Sequence, residues 1–363
     1  MKNFVCLYGV VYGISSVLKM MNNFFILVVA RILSGVGTSL LFSVLESWMV
    51  KVHKKRGYPE NALIKTFSES TFVNGLAAVV AGVVASFFSD SWGFNLGYKA
   101  PFAFSALDLF LMTGFVWVMW PSDHQDPAGA GGLPISPAPV PSISIAAVKN
   151  VLFTGLNDML ADKRILYLCV VQSLFEGAMS VFVFVWTPTL LGACAGEDFK
   201  FASLGWIFAS YMTAIIVGSQ VFEYLTSTGR SANWVARINF AVAAAAMFVS
   251  CVAAALYPTV CVEYAAATNF AYLGFAVFEL CCGVYFPVMS TLKSIYLPER
   301  SRASLMNFAR IGLNAIIIAV LLFAGALSNA MILFICTVLL VGACAVQVMK
   351  LPITTSIQPQ TSV

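Results

Sequence analysis

The stretch RILSGVGTSLLFSVLESWMVKVHKKRG, residues 31–57, decides the fold of this protein. Its first twenty residues are apolar or small apart from Arg31 and a few hydroxyl and acidic side chains, whereas its last seven include four basic side chains. A helix of about 20 apolar residues crosses the hydrocarbon core of a bilayer, and Lys and Arg accumulate in cytoplasmic connections. The stretch therefore predicts a membrane-spanning helix that ends at the cytoplasmic surface.

The composition of the whole chain agrees with this prediction. Of its 363 residues, 60% are hydrophobic and only 10% are charged. Soluble domains average about 45–50% apolar and about 25% charged residues, so a soluble enzyme and a nucleic-acid-binding protein are both disfavoured. The net charge of +4 is too small to indicate a polyanionic partner.

Ten apolar stretches are long enough to cross a bilayer, and none alternates with the period of a barrel strand. We therefore expect an all-α polytopic membrane protein, in which each span satisfies its own backbone hydrogen bonds. The predicted spans cover residues 4–20, 24–49, 67–89, 100–120, 165–191, 202–225, 235–256, 265–291, 304–327 and 329–349.

The basic residues between the spans predict the orientation. If the connection after the second span is cytoplasmic, 15 Lys and Arg side chains lie inside and only Lys19, Lys99 and Lys200 lie outside, with Arg31 and Arg310 within spans. Lys293 is counted among the cytoplasmic residues. Both termini are then cytoplasmic, and we expect the membrane to be the plasma membrane.

A proline-rich break divides the chain. Residues 121–146 hold six of the 14 prolines together with Gly, Ala and Ser, which is typical of a cytoplasmic linker. We expect an N-terminal helical half of four spans at 1–120 and a C-terminal half of six spans at 147–350. A cytoplasmic tail follows at 351–363. The stretch AVKNVLFTGLNDMLADKR after the linker is amphipathic and predicts a helix on the membrane surface.

Common catalytic patterns are missing from the sequence. Its two histidines, His53 and His124, lie in predicted connections, seven of the nine cysteines lie inside predicted spans, and no phosphate-binding GxxxxGK[ST] motif occurs. We therefore expect neither an enzyme nor a bound metal or cofactor.

Charged residues inside spans are costly and usually face a cavity or a partner within the bundle. On the second span, Arg31, Gly35, Thr38 and Glu46 share one side, and Gly35 and Gly37 allow another helix or a ligand to approach the backbone. One interpretation is a helix-packing face on which Asp108 of the fourth span neutralises Arg31. The other is the cationic wall of a transport path.

The C-terminal half supplies a second polar set. Gln172 and Glu176 lie on one face of the fifth span, and Glu279 lies at similar depth in the eighth. The ninth span carries a polar face, whose members are Asn307, Arg310 and Asn314. A structural salt bridge of Arg310 with one of the two glutamates is the alternative to substrate binding.

Arginines in both halves suit a small oxoanion, because a guanidinium presents paired, planar donors to oxygen atoms. The buried glutamates are either orienting partners or proton carriers, and the sequence does not separate these roles. The predicted substrate-binding residues are Arg31, Thr38, Gln172, Glu176, Glu279, Asn307, Arg310 and Asn314. The predicted structural or coupling residues are Glu46, Asp108, Gly35 and Gly37.

Three stretches resemble one known family. RILSGVGTSLLFSVLESWMVKVHKKRG, QSLFEGAMSVFVFVWTPTLL and FELCCGVYFPVMSTLKSIYLPERSRASLMNFARIGLN are similar, in this order, to the molybdate-anion transporter family of the major facilitator superfamily. The resemblance runs from about residue 5 to residue 349. It implies two halves of six helices and a carrier that imports molybdate by alternating access, with its site near the middle of the membrane.

An internal similarity makes the second span equivalent to the eighth. ESWMVKVHKKRGYPENALIKTFSEST and MSTLKSIYLPERSRASLMNFARIG share a span end, a basic loop with Pro-Glu and a polar span start. Compared with the family, we therefore expect two helices to be missing before residue 1. Either the gene model starts late, or transport has been lost.

Three functions follow from these expectations. The first is a secondary carrier of molybdate, whose partners are the anion, the lipid bilayer and possible coupling protons. The second is a proton-coupled carrier of another small metabolite or drug. The third is a non-transporting membrane scaffold or sensor derived from a truncated carrier.

Overall fold

The computed structural model describes residues 2–89, 97, 99–120, 145–191, 204–256, 264–299 and 301–351. Within these ranges it forms eleven α-helices and no β-strand. The helices are α1 (Lys2–Leu18), α2 (Phe24–Lys55), α3 (Glu60–Ser89), α4 (Ala100–Met119), α5 (Ile145–Ala161), α6 (Lys163–Leu191), α7 (Leu204–Ser227), α8 (Ala232–Leu256), α9 (Tyr264–Tyr296), α10 (Arg302–Phe323) and α11 (Asn329–Lys350).

Helices α2 to α4 and α6 to α11 form a set of nine, within the described ranges, that are long and apolar enough to cross a membrane. Helix α1 is apolar but has only 17 residues. These ten helices coincide with the ten predicted spans, and α5 coincides with the predicted amphipathic segment. The predicted all-α fold is confirmed, and the chain is a multi-pass integral membrane protein.

The predicted domain boundaries stay predictions. Residues 121–144 of the expected linker and 352–363 of the expected tail lie outside the described residues. On the described side of the linker, Phe153 and Leu160 are exposed apolar side chains of α5. They lie seven residues apart and therefore on one face of this helix, as a surface-lying helix requires.

The end of the eighth predicted span is corrected. Helix α9 continues to Tyr296, so Lys293 lies inside a helix and is only 6% exposed, rather than in a cytoplasmic connection. A single lysine does not end a helix, and a cation in the last turn interacts favourably with the helix dipole. Helix α9 ends instead because Pro298 disfavours the helical backbone conformation at the residue before it.

Helical contacts divide the chain into two compact units. Unit 1 comprises Met1–Arg56, Val84–Gly155 and Ser301–Ser304. In unit 1, α1 packs against both α2 and α4. The Ser15 hydroxyl of α1 donates a 2.8 Å hydrogen bond to the Ala30 carbonyl of α2, and a Cβ atom at Gly13 would lie 2.8 Å from the Phe110 ring of α4.

Unit 2 comprises Gly57–Val83, Leu156–Arg300 and Leu305–Val363. Its core is built around aromatic side chains of α6, α8 and α9. Phe175 stacks on Tyr285 with 4.1 Å between ring centroids, and Phe182 packs edge-on against Phe278 at 5.2 Å. The first part of α3 joins this unit through a 2.8 Å hydrogen bond from the Ser68 hydroxyl to the Ser219 carbonyl of α7.

Helices α7 and α9 cross with their backbones in contact. A Cβ atom at Gly218 would lie 2.1 Å from the Leu280 carbonyl oxygen, and one at Gly283 would lie 2.1 Å from the Ile215 carbonyl oxygen. Small residues allow membrane helices to approach this closely. Farther along the same pair of helices, the Tyr272 hydroxyl of α9 donates a 2.8 Å hydrogen bond to the Ser210 hydroxyl of α7.

We expect Gly283→Ala to destabilise unit 2, because the added methyl group would meet backbone atoms that cannot turn away. Overpacking of this kind costs about 1–3 kcal/mol. The measurement is the thermal midpoint of the detergent-solubilised protein, followed by fluorescence-detected size-exclusion chromatography. The control is Gly114→Ala in α4, where the new methyl group would meet nothing within 4 Å. Equal midpoints for the two variants would contradict the proposed backbone crossing.

Candidate functional site

Glu176 of α6 is the centre of the polar cluster in unit 2. Its Oε1 atom accepts a hydrogen bond from the Gln172 amide at 3.0 Å and another from the Tyr285 hydroxyl of α9 at 3.0 Å. In the described part of the chain, Oε2 of Glu176 accepts no hydrogen bond. The carboxylate is therefore held through one oxygen by neutral donors, and the other oxygen is left for a ligand, water or a proton.

Two cations act on Glu176 from neighbouring helices. Lys293 of α9 and Arg310 of α10 both lie within electrostatic range of its carboxylate. Neither forms an ion pair with Glu176 within the described residues, so the structural salt bridge expected between Arg310 and Glu176 is not formed. The cluster thus brings two positive charges within electrostatic range of one carboxylate.

The contact between α6 and α10 fixes the position of Arg310. The Ser173 hydroxyl shares its single proton between the Cys169 carbonyl of its own helix, at 2.8 Å, and the Ala309 carbonyl of α10, at 2.7 Å. Gly312 lets Ser173 approach, since a Cβ atom there would lie 2.6 Å from the hydroxyl oxygen. Arg310 follows Ala309 directly, so its backbone lies level with the start of the Gln172–Glu176 turn.

The remaining predicted residues of unit 2 are more dispersed. Asn307 and Arg310 are half-buried, and Asn314 is exposed. Glu279 is buried and pairs with the thiol of Cys282 on its own helix. Tyr285, which contacts Glu176, lies six residues after Glu279 and so about 240° around the α9 axis. The roles predicted for Glu279, Asn307 and Asn314 stay predictions.

In unit 1, Arg31 is an exposed residue of α2 whose charge acts on Lys19, just beyond the end of α1. Burial, followed by the Arg31 charge, lowers the pKa of the Lys19 ammonium below its ordinary value. Asp108 is also exposed, and its charge acts on Tyr8 of α1. Within the described residues Arg31 and Asp108 form no ion pair, so the predicted neutralisation of Arg31 by Asp108 is not found.

The other predicted residues of α2 serve its packing and its backbone. The Thr38 hydroxyl donates a 2.8 Å hydrogen bond to the Ser34 carbonyl one turn earlier. A Cβ atom at Gly37 would lie 2.5 Å from the Tyr12 ring of α1, whereas one at Gly35 would meet nothing within 4 Å. Glu46 is half-buried in the C-terminal part of α2. Gly37 is thus a packing position, and Gly35 is open on its outer side.

Two residues of the cluster, Tyr285 and Lys293, were not predicted from the sequence. Tyr285 lies in an aromatic-rich span, where a tyrosine is expected to pack in the core. Lys293 lies at the end of a predicted span, where a lysine is expected to lie in a cytoplasmic connection. A helical-face comparison of Lys293 with Glu279, fourteen residues earlier, would have placed both within about 40° of one another. Among the described residues, no group of three or more His, Cys, Asp or Glu side chains is placed to hold a metal ion.

We expect Tyr285→Phe to destabilise the protein by removing a donor to the half-buried Glu176 carboxylate while keeping the ring stacked on Phe175. Hydrogen bonds to charged groups contribute about 1.5–3 kcal/mol, and neutral ones about 0.5–1.5 kcal/mol. The matched control is Tyr272→Phe, which removes only the neutral bond to Ser210. Tyr285→Phe should lower the thermal midpoint more than Tyr272→Phe does. An equal or smaller decrease would show that Glu176 does not depend on this hydroxyl.

Comparisons with known proteins agree with this architecture. Residues 1–275 match the model of a family described as sugar transporters with 12 transmembrane helices. The molybdate-anion transporter of Takifugu rubripes is 30% identical over 315 residues, covering 84% of this chain and 62% of the relative. That of Danio rerio is 29% identical over 316 residues, covering 85% and 63%. The chain thus spans about six-tenths of the length of these relatives.

Solved structures show the same fold. The fucose:proton symporter of E. coli superposes with a TM-score of 0.59 at 12% identity, covering 95% of this chain and 83% of that chain. A second structure, of the same transporter in the outward conformation, gives a TM-score of 0.59 at 14% identity and covers 95% and 82%. The molybdate-anion transporters among the relatives confirm the resemblance predicted from the sequence. The family model shows that the chain belongs to the family of 12-helix transporters, described as sugar transporters, of the major facilitator superfamily.

Proposed function

We propose that this protein is a secondary active carrier that imports molybdate by alternating access, and that it does so at the plasma membrane with both termini in the cytoplasm. The proposal rests on the molybdate-anion transporters among its relatives and on the cations around Glu176. A tetrahedral oxoanion needs positive charge and directional donors, and a guanidinium supplies both.

Arg310 is the observation that carries this proposal. It is half-buried in a membrane-spanning helix, its charge reaches Glu176, and the Ser173–Ala309 hydrogen bond holds its backbone in place. A guanidinium presents several donors in one plane and stays charged even when partly desolvated. In unit 1, Arg31 remains the proposed anion contact of α2, because its side chain is exposed and the nearby Lys19 adds a second positive charge.

A second candidate function is the proton-coupled transport of a neutral metabolite. The family description as sugar transporters favours it, as does the pairing of Glu176 with the neutral donors Gln172 and Tyr285. A carboxylate and an amide side by side suit sugar hydroxyls as well as they suit proton exchange. Molybdate transport requires the cations near Glu176. Transport of a neutral metabolite requires only the carboxylate and its neutral donors.

We expect the protein to take up radioactive molybdate in cells depleted of other molybdate carriers. Excess tungstate or sulfate should compete with this uptake, and excess fucose should not. No uptake with full-length protein present in the membrane would overturn the proposed function and favour a non-transporting scaffold or sensor. Competition by sugars alone would favour the second candidate.

Arg310→Gln should reduce molybdate uptake at least about tenfold, which corresponds to about 1.4 kcal/mol of lost interaction. The abundance of the Arg310→Gln protein in the membrane should not change. The matched control is Arg164→Gln, which removes an arginine whose side chain is 57% exposed and paired with Asp162 at the start of α6. Parallel loss of uptake and abundance in Arg310→Gln would show that Arg310 acts in folding and not in anion binding.

A further inference from the structure

Arg237 is an arginine inside an apolar helix that is long enough to span the membrane. It lies on α8 within the apolar segment Ala232–Leu256, and the residue is half-buried. Its Nη2 atom donates a hydrogen bond to the Leu351 carbonyl, directly after the end of α11. Its Nε atom is buried and has no hydrogen-bond partner among the described residues. The guanidinium is therefore fixed against the end of α11 and is only partly solvated.

Buried amides fix the helix contact at which Arg237 lies. Gln347 of α11 is fully buried, one turn before Leu351. Its amide nitrogen donates a 3.0 Å hydrogen bond to the side-chain oxygen of Asn233, which lies one turn before Arg237 on α8. The Asn233 amide in turn donates to the Tyr296 hydroxyl of α9 at 3.0 Å. These bonds join three helices, so buried contacts set the place at which the guanidinium emerges.

Two further cations lie at the same end of unit 2. Arg230 lies over the Trp234 ring of α8 at 4.7 Å, and Lys350 lies over the Tyr167 ring of α6 at 5.9 Å. Neither they nor Arg237 form an ion pair within the described residues. The C-terminus of α11 contributes only about half a negative charge. We call Arg230, Arg237 and Lys350 the basic end, and its partly desolvated charge needs a counter-charge.

Exposed apolar side chains begin beside the basic end and continue along two neighbouring helices. Helices α8 and α11 pack against each other, and each carries one pair of exposed side chains on a single face. The pairs are Ile238 with Val242 on α8 and Val341 with Val348 on α11. Trp234, three residues before Arg237, is a residue type that is enriched where apolar spans meet lipid headgroups.

This combination fits a phospholipid better than a soluble anion. A guanidinium presents paired donors to phosphate oxygens, and exposed valine and isoleucine side chains suit acyl chains. Three cations without a described counter-ion favour a headgroup whose net charge is negative. A zwitterionic headgroup is less suitable, because its own cation would lie close to the basic end.

We propose that the basic end binds the phosphate of one anionic phospholipid, whose acyl chains lie along the exposed apolar side chains of α8 and α11. In the proposed orientation this lipid belongs to the cytoplasmic leaflet, which contains anionic lipids. Arg237 is the central contact, because its position is set by the Leu351 carbonyl and the buried amides. The site does not depend on which solute the protein transports.

The test compares phosphatidylglycerol with phosphatidylcholine of the same acyl chains, added to the purified full chain in detergent. Native mass spectrometry of an equimolar mixture measures which lipid is retained, and the thermal midpoint measures which lipid stabilises. The wild-type protein should prefer phosphatidylglycerol in both measurements. Arg237→Gln should lower this preference about fivefold, as expected for one cation near an anionic headgroup. Each preference is a ratio between two lipids on one protein, so a less stable variant does not imitate the effect.

The matched control is Arg164→Gln at the start of α6. It removes an arginine whose side chain is 57% exposed and paired with Asp162, and it should keep the wild-type preference. Equal decreases in Arg164→Gln and Arg237→Gln would indicate general attraction to a basic surface and would overturn the proposed site.

A second variant covers the case in which Arg237→Gln does not fold. Arg230→Gln changes an exposed residue and leaves the Leu351 hydrogen bond in place, and it should also lower the preference for phosphatidylglycerol. An unchanged preference in Arg230→Gln contradicts the proposal. Excess inorganic phosphate should not displace phosphatidylglycerol, and displacement would show a site for a free anion instead. Equal retention of both lipids by the wild-type protein also overturns the proposal.

Discussion

Water is absent from the hydrocarbon core of a membrane, so a polar group of this protein that faces lipid needs a partner within the chain. Backbone groups meet this requirement inside each helix. Hydroxyl side chains meet it by donating to carbonyls one turn earlier, as Thr38 does, or across a helix contact, as Ser15 and Ser173 do. A carboxylate cannot donate to a backbone carbonyl in this way, because its ionised form has no proton. Glu176 is therefore surrounded by donors and cations from three helices.

The helices could be predicted almost completely from the sequence, because one property, a run of apolar residues as long as the bilayer is thick, determines them. Their ends were harder to place. The expected end of the eighth span came at the first polar side chains after residue 291, whereas the helix ends just before Pro298, where backbone sterics stop it. Hydropathy reports where a segment meets water, and it does not report where hydrogen bonding along the backbone ends.

The site was less predictable for a related reason. The spacing of Gln172 and Glu176 on one helix was enough to predict that they share a face, and the structure pairs them. Contacts between helices depend on rotation and depth, which a single sequence leaves open. The charges of Arg31 and Asp108 favoured an ion pair between them, but the two residues form none. Tyr285 was not predicted because a tyrosine in an aromatic-rich span is usually a core residue, and Lys293 was not predicted because a lysine at a span end usually marks the cytoplasmic side. Burial of a charge becomes visible only when the neighbours are known.

The contact between Gly218 and Gly283 has a mechanical consequence. Because the backbones of α7 and α9 touch there, neither helix can slide along the other without lifting a carbonyl oxygen over a Cα atom. Gly283 lies well inside α9, a helix of 33 residues or about 50 Å. The glycine pair therefore fixes the register of α9 along α7 at this point, four residues before Pro287 interrupts the hydrogen bonding of α9.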